Sequence, residues 1–199
     1  MDPDRSRSPM SDQEISEVTV GIPTRLDGPV LLVEYDERWP ELFAREAGRI
    51  KGALGARALR VEHVGSTSVP GLMAKPILDA VLEVADSSEE RSYLPPLERE
   101  GYALRIREPA WHEHRLLTRR DPEVNLHVFS SGSSEVARML LFRDHLRSHP
   151  ADREGYAQAK RDLARRVWMF RQNYADAKTE IISEILSRAA AGSAGSSSR

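Results

Sequence analysis

Apolar residues along this chain return in two rhythms. Trp39, Leu42, Phe43, Ala47, Ile50 and Leu54 recur every three or four positions, which is one face of a helix. Asp36 stands before that run as an N-cap and Gly55 follows it as a stop. Elsewhere the rhythm is two, or the run is unbroken. Residues 59–64, 77–84, 102–107, 114–119 and 124–129 read as strands, the last two joined as a hairpin across Asp121-Pro122. Residues 30–35, after the Asp27-Gly28-Pro29 turn, read as a further strand, and residues 18–20 as a short one before Gly21-Ile22-Pro23.

Ser87 or Ser88 caps a helix to about Glu100 that Gly101 closes; Pro95-Pro96 bends it or delays its start. Ser133 or Ser134 opens another over 135–147, ended by His149-Pro150. Residues 152–188 stay helical, in one or two pieces. Strands and helices mix without strict alternation. The fold class is therefore α+β: a mixed sheet flanked by helices on one face, with a C-terminal helical subdomain. The expected division is a largely flexible arm over 1–27, a main domain over 28–150, C-terminal helices packed on it over 151–188, and a disordered tail over 189–199.

Composition narrows the classes. The chain has 199 residues, 40% hydrophobic and 30% charged, which suffices for one packed core. A net charge of −2 gives no basic footprint, so no nucleic-acid partner is expected. There is no cysteine, which removes disulfide frameworks and thiolate metal sites. No apolar run is long enough to span a membrane, and the first residues lack the apolar core of a leader, so the cytoplasm is the expected compartment.

Chemistry concentrates in residues 61–84, VEHVGSTSVPGLMAKPILDAVLEV. Gly65 lets backbone approach a ligand, and Ser66, Thr67 and Ser68 offer donors. Asp79 lies within a largely apolar strand, where a carboxylate needs an ion pair or a metal. Asn125 and His127 share a face of the 124–129 strand. An acid and a histidine on neighbouring strands can hold a divalent cation or orient a base. His112-Glu113-His114 has spacing that fits zinc but lacks a third ligand in sequence. Tyr156-Ala-Gln-Ala-Lys160 recurs as Tyr174-Ala-Asp-Ala-Lys178, 18 residues on. On one straight helix both Tyr-Lys pairs would point the same way. Either this is a shared packing pattern with solvated lysines, or one lysine meets an anionic ligand.

The run Glu62-His63-Val64-Gly65-Ser66-Thr67-Ser68-Val69-Pro70-Gly71-Leu72, followed by Ala74-Lys75-Pro76-Ile77 and Asp79, closely resembles the GrpB family, also called UPF0157. Tyr35-Asp36 with Trp39-Pro40, Leu126-His127-Val128, Leu141-Phe142-Arg143-Asp144 and the two Tyr-Lys pairs extend the likeness over roughly residues 30–188. The resemblance implies a nucleotidyltransferase superfamily fold of the DNA polymerase β type over the main domain. It implies Gly65, Ser66, Thr67 and Ser68 at the phosphates of an NTP, ATP being the expected one, with Lys75, Arg115 and Arg143 neutralising charge. Asp79 would be the first acid for Mg2+ (or Mn2+), and His127 a ligand or a base. Glu62 would help at the metal, while Glu62, His63 and Asn125 support the site. Twelve residues separate Ser66 from Asp79, which suits the superfamily signature.

Two departures qualify this. Val81 stands where a second acid is expected, and His127 where a third belongs. The implied activity is transfer of a nucleoside monophosphate to a small-molecule acceptor. The alternatives are a binding module for nucleotides or phosphometabolites without transfer, and an ATP-dependent ligase acting through an adenylate. Val167-Trp168-Met169-Phe170 replaces the Pro-Asp break of relatives. It predicts a more continuous helix, with an apolar cluster packed on the core or on a second subunit of a homodimer.

Overall fold

In the computed structural model, which describes residues 9–26 and 28–196, five strands form one sheet. They are β1 (Arg60–Val64), β2 (Leu78–Val84), β3 (Ala103–Glu108), β4 (His114–Arg119) and β5 (Val124–Ser130), in the spatial order β1-β2-β5-β4-β3. β2 and β5 pair in parallel and the other neighbours antiparallel, so the sheet is mixed. The fold class is α+β, as the sequence pattern implies.

Side chains alternate across each strand. On one face Leu78, Ala80, Leu82, Leu126, Val128 and Leu117 are buried with Ile50 and Leu54 of α2 (Trp39–Leu54) and Leu97 of α3 (Leu94–Arg99). Each large apolar side chain buried here stabilises by about 1.5–3 kcal/mol. Glu46 of α2 is also buried, satisfied by the Tyr102 hydroxyl at 2.8 Å and by Arg119 and Arg49, each at 3.2 Å. The other face carries Asp79, Val81, Asn125 and His127. Helices lie on that face as well: α4 (Ser134–Ser148), α5 (Pro150–Ala164), α6 (Arg171–Asp176) and α7 (Thr179–Ser196). Helices therefore flank both faces, not one. Among the described residues no helix is long and apolar enough to cross a membrane.

Several expectations are corrected. Residues 30–35 form no strand, because only Val33 finds a partner, exchanging backbone hydrogen bonds of 2.8 and 2.9 Å with Ala74. Asp36 is not the N-cap of α2; that position is Arg38, whose N–H Asp36 accepts at 2.9 Å. The helix expected from Ser87 begins only at Leu94, with a 3-10 turn at Glu90–Ser92 before it and Pro95-Pro96 in its first turn. The short strand at 18–20 is instead the end of α1 (Asp12–Val18), after which Thr19 bridges Ile106. So the arm is ordered from a Ser11–Glu14 capping box onward and buries Ile15; residues 1–8 lie outside the described residues. α7 runs on to Ser196, into the stretch expected as a tail, and residues 197–199 lie outside the described residues.

The continuous C-terminal helix is also corrected. α5 ends at Ala164 and α6 starts at Arg171. Between them Trp168 turns inward, donating its indole N–H to Leu163 O at 2.9 Å, and packs beside Tyr174. Val167 is 96% exposed, so the apolar run does not pack as one cluster.

Candidate functional site

β1 ends at Val64, opposite Asp79 at the start of β2. The turn between them must leave the sheet at once, and Gly65 does this with φ 67° and ψ −171°. That conformation is nearly closed to side chains. The space is closed too, because a β-carbon at Gly65 would overlap Asp79 Oδ2 and lie 2.8 Å from its Cβ. Asn125, paired with Asp79 across β2 and β5, donates from Nδ2 to Asp79 Oδ1 at 2.8 Å. One carboxylate oxygen is thus held and the other lies over the glycine.

Ser66–Ser68 make a single 3-10 turn. Thr67 is buried, its hydroxyl beside His63 Nε2 at 3.0 Å and Ile77 O at 3.4 Å. His63 stacks on Phe43, and burial pushes its pKa down to about 4, so the ring is a neutral brace. Ser68 is buried and donates to Gly65 O at 2.6 Å. Arg147 of α4 donates to Ser68 O at 2.8 and 3.0 Å. The turn is therefore anchored from both sides, with Gly65 and Ser66 left at the edge of a cavity.

That cavity is about 600 Å³. Its polar wall is built by Asp79, Asn125 and His127 from the sheet and by Lys75, Lys160 and Lys178. Lys160 is 2% exposed and donates to Ser66 Oγ at 3.1 Å and to Met73 O. Tyr156 lies on the same cavity wall, its hydroxyl pKa raised by burial. Lys75 and Lys178 sit over the Tyr174 ring, 5.2 and 4.8 Å from its centroid. The Tyr174 hydroxyl is buried and has no hydrogen-bond partner among the described residues. Towards β3 and β4 the wall mixes Ile106 and Leu116 with Arg105, Thr118 and Arg119, and α1 adds Ile15 and Val18.

Three lysines lie near Asp79 here, with Glu123 and Glu135 also on the cavity lining. Burial lowers Lys160 to about 7, reinforced by Lys178, with Asp79 pulling the other way. Burial lowers Lys75 to about 8, again with Lys178 adding and Asp79 opposing. Lys178 is lowered by burial against the pull of Asp79 and Asp176. The cavity thus holds more ammonium groups than carboxylate beside them, and an anion of several charges is the partner that best satisfies it.

A second arrangement lies along β3, β4 and β5. Glu108 Oε2 meets His114 Nδ1 at 2.7 Å, and His114 Nε2 meets His127 Nδ1 at 3.0 Å. Glu108 and His114 are buried, while His127 borders the cavity.

The sequence-derived site is in part assembled and in part dispersed. Gly65, Ser66, Thr67, Lys75, Asp79, Asn125 and His127 all border the cavity. Ser68 does not; its hydroxyl is turned into the turn itself. Arg115 is corrected: strand alternation puts it on the opposite face, buried with Glu90 at 2.6 Å. Arg143 is corrected too, because it spans Glu62, Asp144 and His63 O. Glu62 is held by Arg143 at 2.8 Å and Arg60 at 3.2 Å and does not join Asp79.

Val81 is fully buried with Val64, Phe129, Val136 and Leu140, so the position of the second acid is an apolar seam under α4. Among the described residues no three His, Cys, Asp or Glu groups converge as a metal site. The donors do not fit a two-metal centre. They fit one Mg2+ arriving with substrate phosphates and resting on Asp79, since Mg2+ commonly takes one or two carboxylates plus phosphates and water. His112-Glu113-His114 makes no zinc site, because His114 turns inward to His127. Lys160, Lys178, Tyr156 and Tyr174 were signalled only by the repeated Tyr-Lys spacing.

The GrpB protein family model matches residues 29–188. A UPF0157 protein of Halalkalibacterium halodurans is 56% identical over 182 residues, covering 92% of this chain and 93% of that protein. A UPF0157 protein of Streptomyces coelicolor is 46% identical over 172 residues, 86% of this chain and 89% of the relative. The crystal structure of conserved protein GrpB from Enterococcus faecalis superimposes with a TM-score of 0.67 at 32% identity, over 80% of this chain and 96% of the other.

Proposed function

This chain belongs to the GrpB family, and from that premise we propose that it is a nucleotidyltransferase-like protein that moves a nucleoside monophosphate from an NTP, ATP first among them, to a small-molecule acceptor. The observation that carries this reading is the cluster of Lys75, Lys160 and Lys178 around Asp79 beside the Gly65-Ser66 turn. Charge of that sign and density suits a triphosphate. The lysines would bind its oxygens, the Ser66 hydroxyl would add a donor, and the Tyr174 hydroxyl would gain a partner. Asp79 would hold the Mg2+ that accompanies the triphosphate, a cation that offsets phosphate charge when bound. The side chains of Ile106 and Leu116 would receive the base or the acceptor. This reading includes no nucleic-acid or membrane partner, and an NTP substrate implies the cytoplasmic nucleotide pool.

Val81 favours a second reading, a module that binds a nucleotide or phosphometabolite without transferring it. Purified protein incubated with each labelled NTP, Mg2+ or Mn2+, and a panel of small hydroxyl and amine acceptors separates the two. Pyrophosphate released by the wild type and not by Asp79→Ala supports transfer. Nucleotide bound without release across the panel favours the binding module, and no nucleotide binding at all overturns both.

A further inference from the structure

We propose that the small-molecule acceptor carries an anionic group, a carboxylate or a phosphate, and that Arg105 and Thr118 bind it at the β3–β4 end of the cavity. This rests on the nucleotidyl-transfer reading above and names the class of its second substrate. The local structure begins with a β-bulge. Leu104 pairs with Leu117 and Ile106 with Leu116, so Arg105 is the extra residue on β3. In a regular strand Arg105 and Ile106 would point to opposite faces. The bulge lets both border the cavity, the kind of re-aiming that such irregularities provide. The backbone there is held by the arm: Val20 N–H donates to Arg105 O at 2.7 Å, and Thr19 bridges Ile106. Arg105 Nε donates to Thr118 Oγ1 at 3.3 Å. Thr118 accepts that bond and keeps its own O–H to donate.

Other arginines on the cavity border have acids of their own. Arg119 pairs with Glu46 at 3.2 Å, Arg138 with Glu135 at 2.7 Å and Arg171 with Glu123 at 3.4 Å. Among the described residues Arg105 and Arg120 pair with no carboxylate. A guanidinium presents a planar fork that matches carboxylate or phosphate oxygens. Arg105 and Arg120 are exposed, and an exposed arginine alone makes no site. What singles out Arg105 is its bulge, its hydroxyl partner and its distance from Asp79.

Strand register gives that distance. Asp79, Asn125 and Thr118 stand side by side across β2, β5 and β4. Two strand spacings of about 4.8 Å put Thr118 roughly 10 Å from Asp79. The three lysines come from the lead into β2, from α5 and from the α6–α7 turn, and β3 and β4 supply none of them. A triphosphate on the lysines therefore leaves Arg105 unused. An acceptor with its hydroxyl or amine at Asp79 reaches Arg105 and Thr118 with a group several atoms away. Ile106 and Leu116 pair two residues along β4 from Thr118 and are left to the base. Arg105 and Thr118 are binding residues that select the acceptor.

The test fills the nucleotide subsite first. Protein labelled with 15N-arginine is loaded with α,β-methylene-ATP and Mg2+, then titrated separately with inorganic phosphate and with acetate. The Arg105 Nε–H signal, identified by its loss in Arg105→Gln, is expected to shift saturably with at least one anion, while arginines away from the cavity do not move. The anion that binds more tightly tells a phosphate acceptor from a carboxylate one. Thr118→Val should weaken that anion by about 10-fold, with nucleotide affinity unchanged. An Arg105 signal that neither anion moves in the loaded protein, or an affinity that Thr118→Val leaves unaltered, overturns the anion subsite. Pyrophosphate release with uncharged acceptors alone overturns the acceptor class. A protein that shows the Arg105 shift yet binds no α,β-methylene-ATP overturns the transfer reading, and the acceptor role with it, while the anion subsite stands.

Discussion

The carboxylate of Asp79 lies directly over the Cα of Gly65, so that a β-carbon at 65 would stand 2.8 Å from Asp79 Cβ. The end of β1 and the start of β2 are therefore fitted to each other at one point, and the Gly65-Ser66 turn takes its position from the acid. Gly65→Ala should cost about 1–3 kcal/mol from backbone strain and should also push the Asp79 side chain off Asn125. Thermal unfolding with calorimetric titration of ATP checks this. A variant with wild-type Tm and wild-type affinity would show that the fit is incidental.

Val81→Asp restores an acid–apolar–acid strand in sequence, yet it should not create a metal site. Val81 is fully buried under Val136 and Leu140. An unpaired carboxylate there should destabilise by about 3–5 kcal/mol, read as a lower urea midpoint. A variant of undiminished stability that gains Mg2+ affinity would contradict the apolar reading of this seam.

These two positions also mark what the sequence discloses. The period-two runs place β1, β2, β4 and β5, and the spacing from Gly65 to Asp79 joins the turn to the acid only through the family resemblance. α2 was legible because its apolar face is continuous from Trp39 to Leu54. The 30–35 stretch has the composition of a strand, but pairing partners are set by tertiary register, and only Ala74 was within reach. α1 was missed because it is polar apart from Ile15 and Val18. Arg115 and Arg143 are expected at the phosphates under the family resemblance, but their partners, Glu90 and Glu62, lie 25 and 81 residues away. The Tyr-Lys echo marks two pairs that both border the cavity, though not through the one straight helix that its spacing suggests. No straight helix joins the pairs; α5 and the α6–α7 turn bring Lys160 and Lys178 to the cavity separately. The Glu108–His114–His127 line spans three strands, and nothing in local spacing announces it.

Lys178→Met should weaken ATP binding by about 1.5–3 kcal/mol, the value of a hydrogen bond to a charged group, without lowering Tm. In the ligand-free protein burial disfavours the ammonium and offsets its attraction to Asp79, Asp176 and the Tyr174 ring, so its removal should cost little there. Paired calorimetry and thermal unfolding test the two signs. A lower Tm with unchanged affinity would make Lys178 a structural residue.

Burial holds Lys160 at about 7 and Lys75 at about 8, against an ordinary lysine value of 10.5 in the unfolded chain. Between these values the unfolded chain binds more protons, so this contribution to stability rises with pH from about 7 to 10.5 and its full penalty is present below 7. A bound anion favours the charged lysines. ATP binding at pH 8 should therefore take up protons, and affinity should fall as pH rises from 7 to 9. Titrations in buffers of different ionisation enthalpy measure the uptake. Proton release at pH 8, or affinity rising across that range, would contradict the assignment.

The most direct measurement is a crystal structure of the protein with α,β-methylene-ATP and Mg2+. The account predicts the triphosphate within hydrogen-bonding distance of Lys160 Nζ, Lys178 Nζ and the Ser66 hydroxyl, with Asp79 beside it and the base or ribose toward Ile106 and Leu116. A nucleotide bound elsewhere, or a cavity in which those lysines contact no phosphate, would contradict it.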